Sequence, residues 1–160
     1  MTRVALDSNI LVYLAGVSRA AADEAKIERI RALIEALGET ATLVAPVQAL
    51  GELVVVLRRA SASAEEARAV LIDIAEGVNV APSEARTALS AADLAVDHKL
   101  QFWNAMILSA AVEARCTLLL SEDMQHGFVA RGVTVVNPLA DAPHPRLAAL
   151  LGGTIVGRNR

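Results

Sequence analysis

Short aliphatic and β-branched runs alternate along this chain with longer stretches in which apolar residues recur every three or four positions. The first pattern predicts strands and the second amphipathic helices. Arg3–Leu6 predicts a first strand, and Asn9–Leu14 opens a first helix. Ile27, Ile30, Ile34 and Leu37 fall on one helical face, which predicts a helix from about Ala20 to Leu37 ended by Gly38. Thr42–Ala45 reads as a second strand. Pro46 suits the first turn of a helix reaching Ala60, where a missing N–H costs nothing. Ser63 and Glu66 have capping-box spacing and open a helix to Glu76, stopped by Gly77. Val78–Ala81 is a third strand, Ser83 starts a helix to Asp97, and Phe102–Arg115 forms another. Leu118–Leu120 and Val133–Val136 complete about five short strands.

This alternation is the mark of an α/β fold: a doubly wound parallel sheet with helices on both faces. Ligands in such sheets bind outside the carboxyl ends of the strands. One domain over residues 1–140 is expected. Pro138, Pro143 and Pro145 break the pattern, and the tail over 141–160 reads as a docking helix or as disorder, with the polar end Arg158-Asn159-Arg160.

Composition narrows the picture. Hydrophobic residues make up 54% of the chain, mostly alanine and aliphatics; typical domains hold about 45–50%. The excess favours closely packed helices and a partner-covered surface. No run approaches the roughly 18 apolar residues of a membrane span, and Asp7 interrupts any signal-like start, so a cytoplasmic protein with no membrane association is expected. The single cysteine, Cys116, precedes three leucines and reads as a buried, inert thiol. The net charge of −3 excludes a nucleic-acid binder that relies on a broadly basic surface. A protein of this charge handles nucleic acid only through a local basic patch, bridging metal ions, or both. Arg19, Arg58 and Arg59 are candidate phosphate contacts. The sequence lacks a nucleophile elbow, a phosphate-binding glycine loop and a dinucleotide fingerprint. With four aromatic side chains beyond histidine, it is poorly supplied for base stacking.

Candidate chemistry lies at strand ends. Asp7 follows Val4-Ala5-Leu6 directly, and Asp123 lies just beyond Leu118–Leu120. Either alone reads equally as a helix N-cap. Together they place two carboxylates where one cleft serves both, and a cation relieves their repulsion. Oxygen ligands suit Mg²⁺ or Mn²⁺ better than zinc. Glu52 falls on the side of its helix shared with Gln48 and Arg59, where it reads equally as a solvated charge. Asn104 sits in the apolar run Phe102–Leu108, so its amide needs hydrogen-bond partners or a polar cleft; unpartnered burial costs about 1–3 kcal/mol. His126 reads as a surface or capping residue, and His98 and His144 have no metal-ligand spacing.

Val4-Ala5-Leu6-Asp7-Ser8-Asn9-Ile10, Val47–Leu53 around Glu52, Phe102–Ile107 around Asn104, and Leu120–Gly127 around Asp123 resemble, in order and spacing, four motifs of PIN domains, in the form found among VapC-type toxins. The resemblance spans about Arg3 to Asn137. It implies an endoribonuclease acting as the toxin of a toxin–antitoxin pair, with Mg²⁺ or Mn²⁺ at an acidic cluster and RNA as substrate. Carried over by position, Asp7, Glu52 and Asp123 are the acidic ligands, and Ser8, Asn9 and Ser121 orient ligands or waters. Asn104 occupies the family's third acidic position, a departure that removes one charge while leaving a carbonyl oxygen. The resemblance further implies a homodimer and a small antitoxin that lays a helix or strand into the cleft. The competing reading is a catalytically silent PIN-like domain that binds RNA or a protein partner, and Asn104 is the residue that favours it.

Overall fold

The computed structural model describes residues 1–155, with side chains described to Gly152. Six strands form one sheet: β1 (Thr2–Leu6), β2 (Ala41–Pro46), β3 (Asn79–Ala81), β4 (Leu118–Leu120), β5 (Val129–Ala130) and β6 (Val133–Val136). Their order is β3-β2-β1-β4-β6-β5, parallel throughout except for the antiparallel pair β5–β6. Five strands match the expectation. The sixth, β5, is two residues long, too short for an alternation pattern to mark it.

Seven helices accompany the sheet: α1 (Ser8–Leu14), α2 (Asp23–Thr40), α3 (Val47–Arg59), α4 (Ala64–Gly77), α5 (Ala85–His98), α6 (Phe102–Glu113) and α7 (Pro145–Ile155). Burial explains why the central strands are so uniformly aliphatic. Every residue of β4 and β6 is buried, as are Val4, Ala5 and Leu6 of β1, as a parallel sheet covered on both faces requires. α6 is equally apolar all round because Ala105 to Ala111 are all buried. Cys116 is buried as expected, and desolvation pushes its thiol up to about 11.

Five helix boundaries differ most from the sequence reading. α2 begins at Asp23 rather than Ala20, and it runs through Gly38 to Thr40. Gly38 does not take a positive φ, and the Ala41 N–H donates to the Leu37 carbonyl, so the chain passes straight from helix into β2 without a left-handed cap. Pro46 is the N-cap of α3 and the last residue of β2. α5 is capped by Glu84 rather than Ser83, through reciprocal bonds with Thr87. α6 stops at Glu113 because Arg115 turns left-handed at φ 60°, with Cys116 N–H donating to the Ala111 carbonyl and Arg115 N–H to the Val112 carbonyl, a Schellman closure.

Within the tail, α7 packs near α2, with Leu147 buried and the Arg146 guanidinium donating to Thr134 Oγ1 at 2.8 Å. Arg158-Asn159-Arg160 lies outside the described residues. Among the described residues no helix is long and apolar enough to cross a membrane.

The strand order fixes where a site forms. From β1 the chain moves to one side through β2 and β3, then crosses back to place β4 against the other edge of β1. The carboxyl ends of β1 and β4 therefore flank the switch point where open α/β sheets bind ligands.

Candidate functional site

The ladder extends into this crevice: the Asp7 N–H donates to the Leu120 carbonyl and the Ser121 N–H to the Val136 carbonyl, each at 3.0 Å. Asp7 thus leaves β1 with its backbone held by the sheet. It also caps α1, its Oδ1 accepting the Ser8 N–H at 2.7 Å. The N-cap role and a place in the acidic cluster coexist in one side chain. Asp123 heads no helix; the residues after it form bends and turns.

Asn9 joins the two carboxylates. Its Nδ2 donates to Asp7 Oδ2 at 3.3 Å and to Asp123 Oδ2 at 3.1 Å, while its Oδ1 accepts the Glu122 N–H at 3.1 Å. Ser121 Oγ donates to Asp7 Oδ2 at 2.6 Å and accepts the Met124 N–H at 3.1 Å, which folds the loop after β4 around the cluster. Asp7 is 2% exposed and Asn9 7%, whereas Asp123 is open to solvent. Burial raises the Asp7 pKa above its ordinary value of 3.8. The Ser121 and Ser8 hydrogen bonds oppose that rise, and the charges of Glu52 and Asp123 add to it.

Glu52 reaches the same crevice from α3, which packs on α1. The cleft holds about 300 Å³ and is lined by Ser8, Asn9, Glu52 and Asp123 together with Arg19, Arg59 and three valines. Gln48 Nε2 donates to Glu52 Oε1 at 3.2 Å, one turn back along α3. The wheel position that read equally as a solvated charge is therefore a cleft wall. Asn104 is placed differently. It is half-buried in the first turn of α6, makes none of the side-chain hydrogen bonds among the described residues, and does not line this cleft. Because α6 runs down before β4 runs up, its first turn still lies at the carboxyl end of the sheet.

Three further residues escaped the sequence reading. Tyr13 Oη donates to Glu122 Oε1 at 2.5 Å, and Lys26 Nζ pairs with Glu122 Oε2 at 2.9 Å. These bonds tie the Asp123 loop to α1 and α2 from behind. Their partners lie 109 and 96 residues apart, so no local pattern marks them. Burial and the Glu122 carboxylate both raise the Tyr13 pKa. His126, expected at the surface or in a cap, is exposed, and its Nδ1 accepts the Asn137 N–H at 2.9 Å in a loop that begins no helix.

The donor set suits a hard cation. Among the described residues no three His, Cys, Asp or Glu side chains stand close enough to hold an ion by themselves. Mg²⁺ keeps much of its water and commonly takes only one or two carboxylates. Asp7 and Asp123, bridged by a single amide and raised in energy by like charge, supply that number of oxygen ligands, with Glu52 across the cleft.

The family model for the PIN domain matches residues 4–131. Among curated proteins none matches the sequence. Two solved structures are similar in fold. One is VapBC2 from Rickettsia felis bound to a DNA fragment from their promoter, at TM-score 0.60 and 16% identity, covering 76% of this chain and 89% of that one. The other is VapC20 of Mycobacterium tuberculosis, described as a sarcin–ricin loop cleaving toxin, at TM-score 0.59 and 17% identity, covering 75% and 91%.

Proposed function

Since this chain belongs to the PIN-domain family, we propose that it is a divalent-metal-dependent endoribonuclease, the toxin of a toxin–antitoxin pair that works as a homodimer with a cognate antitoxin. The observation that carries the reading is the Asn9 amide joining Asp7 to Asp123 at the sheet's switch point, with Glu52 in the same cleft. The neighbour described as a loop-cleaving toxin supports RNA as substrate, and the VapBC2 neighbour supports an antitoxin partner.

In this reading Asp7 and Asp123 hold Mg²⁺ or Mn²⁺, and Asn104 stands at its margin. When bound, the ion supplies positive charge to the phosphodiester and makes water more acidic. The chain's own groups do the rest. Asn9 fixes the separation of the two carboxylates, and Ser8 and Ser121 fix the rotation of Asp7, so few degrees of freedom remain to be frozen when substrate arrives. Glu52 is the carboxylate placed to orient the attacking water and accept its proton. The proton then passes to the departing ribose oxygen by way of solvent in the open cleft.

The silent-domain reading has one residue in its favour, the uncharged Asn104 at an otherwise acidic position. RNA cleavage by purified protein with and without Mn²⁺, alongside Asp7→Ala, separates the two. Metal-dependent cleavage lost in the variant is the expected result. Intact RNA at saturating Mn²⁺ would establish the silent domain instead.

A further inference from the structure

The acidic cleft also contains the chain's answer to its own negative charge. Arg19 and Arg59 line the same cavity as Glu52 and Asp123. Among the described residues neither enters an ion pair; the two present are Lys26–Glu122 and Arg86–Glu84. Arg58, the third candidate from the sequence, donates to the Ala62 carbonyl at 3.0 Å and is taken up in closing α3. Arg59 follows Glu52 by seven residues, so two helical turns, about 10 Å of axis, separate them on one face of α3. Val55, 48% exposed, and Val56 line the cleft between them.

Arg19 stands in the loop before α2, and that loop is pinned. The Asp23 carboxylate, 8% exposed, accepts the backbone N–H of Arg19 at 2.9 Å and of Ala20 at 3.1 Å. The Asp23 N–H returns a bond to the Ala20 carbonyl at 3.0 Å. A guanidinium offers a planar fork of donors that matches phosphate oxygens and stays charged at every working pH.

We infer that Arg19 and Arg59 clamp the phosphates flanking the scissile one on single-stranded RNA, with the intervening nucleotide lying against Val55 and Val56. Asp23 is the positioning residue that holds Arg19 at the cleft. The inference rests on the nuclease reading for the identity of the polyanion and for which phosphate is the scissile one; that both arginines hold phosphates is tested apart from it. It would explain how a chain of net charge −3 retains RNA: the carboxylates repel the strand locally, and two forks in the same cleft hold it. The valine strip offers apolar contact without base hydrogen bonds, so the clamp is sequence-tolerant.

The test is binding without chemistry: fluorescence anisotropy of a short labelled oligoribonucleotide in EDTA, titrated across salt. Each lost phosphate contact lowers the slope of log K against log salt by about 0.7, or about fivefold in affinity at 0.1 M salt. Arg59→Ala should show one such loss, and Arg19→Ala with Arg59→Ala about 1.4 in slope. Asp23→Ala removes a negative charge, which by itself would strengthen binding; weaker binding therefore reports the displaced Arg19 loop. Asp23→Asn, which still offers a carbonyl oxygen to both N–H groups, should restore it. Wild-type protein that ignores the oligonucleotide, a double variant with unchanged slope, or equal preference for duplex overturns the clamp. Arginine-dependent binding without Mn²⁺-dependent cleavage sinks the nuclease reading and keeps the clamp. Cleavage whose kcat/KM is indifferent to both arginines does the reverse.

Discussion

Replacing Asp7 by asparagine separates what the cluster costs the fold from what it does for chemistry. In the metal-free protein the carboxylate is buried, faces the charges of Glu52 and Asp123, and has its pKa raised mainly by desolvation. Asparagine keeps the volume and the Oδ1 acceptor for the Ser8 N–H. It sets an NH₂ where Oδ2 now accepts from Ser121 and Asn9. Ser121 Oγ can turn to accept, but the Asn9 contact becomes donor against donor, a loss of about 1 kcal/mol. Against this stands the buried charge itself, whose effective penalty is several kcal/mol before its hydrogen bonds offset part of it. A net gain of about 1 kcal/mol is expected, or roughly 2–4 °C in Tm for a domain of this size. The pH dependence has a defined sign. Because the folded-state pKa lies above 3.8, the native protein binds the proton more tightly than the unfolded chain. Wild-type stability therefore falls as pH rises from the unfolded value through the folded one. The advantage of Asp7→Asn should be present above that window and vanish below it. The assay is thermal melting in EDTA from pH 3 to 8, repeated with Mn²⁺. At 100 times its Kd, Mn²⁺ should stabilise the wild type by about 2.7 kcal/mol and leave the variant nearly unmoved. A variant that melts lower than wild type in EDTA at pH 7 would show that the hydrogen bonds, not the charge, dominate this site.

Asn9→Ala removes three hydrogen bonds of a buried amide and should lower stability by about 2–3 kcal/mol. Urea denaturation would read this as a shifted midpoint at constant m, and a change below 1 kcal/mol would demote the amide bridge to a bystander. Asn104→Asp adds a charge at the carboxyl end of the sheet. If residue 104 lies within about 8 Å of the ion, one charge and a divalent ion in water-like dielectric interact by about 1 kcal/mol, and Mn²⁺ should bind about fivefold tighter by calorimetry. Unchanged affinity would place Asn104 outside the ion's reach.

The strand-end carboxylates were legible because a buried parallel strand has few places for a charge other than its carboxyl end. Asp7 and Asp123 follow their apolar runs so closely that topology alone brings them together. Glu52 was legible only through motif resemblance. A helical wheel reports which face of α3 is polar, but not that α1 stands beside that face and turns it into a cleft wall. The bracing of Glu122 by Tyr13 and Lys26, and the pinning of Arg19 by Asp23, belong to tertiary approach or to caps outside any apolar period. β5 is too short to carry a period at all, and Gly38 was misread because a glycine ends a helix only when the chain must turn left-handed after it. The resemblance placed Asn104 in the cluster; the structure places it in the first turn of α6, outside the lining of the cleft and without a bond to the carboxylates.

The ladder bonds that carry Asp7 and Ser121 out of β1 and β4 have a consequence for how the molecule opens. Amides in the middle of a buried sheet exchange with solvent only on global unfolding, whereas exposed loops and helix ends open far more often. The Asp7 and Ser121 amides continue the ladder just past β1 and β4 and are buried with it, whereas Arg19 stands in a loop held by Asp23 and Arg59 in the last turn of α3. The cleft therefore joins a wall built on the buried ladder to a wall built on a loop and a helix end. On the proposed reading, amide exchange should therefore be slower at Asp7 and Ser121 than at Arg19 and Arg59, with the charge cluster staying closed while the arginine side admits and releases a strand.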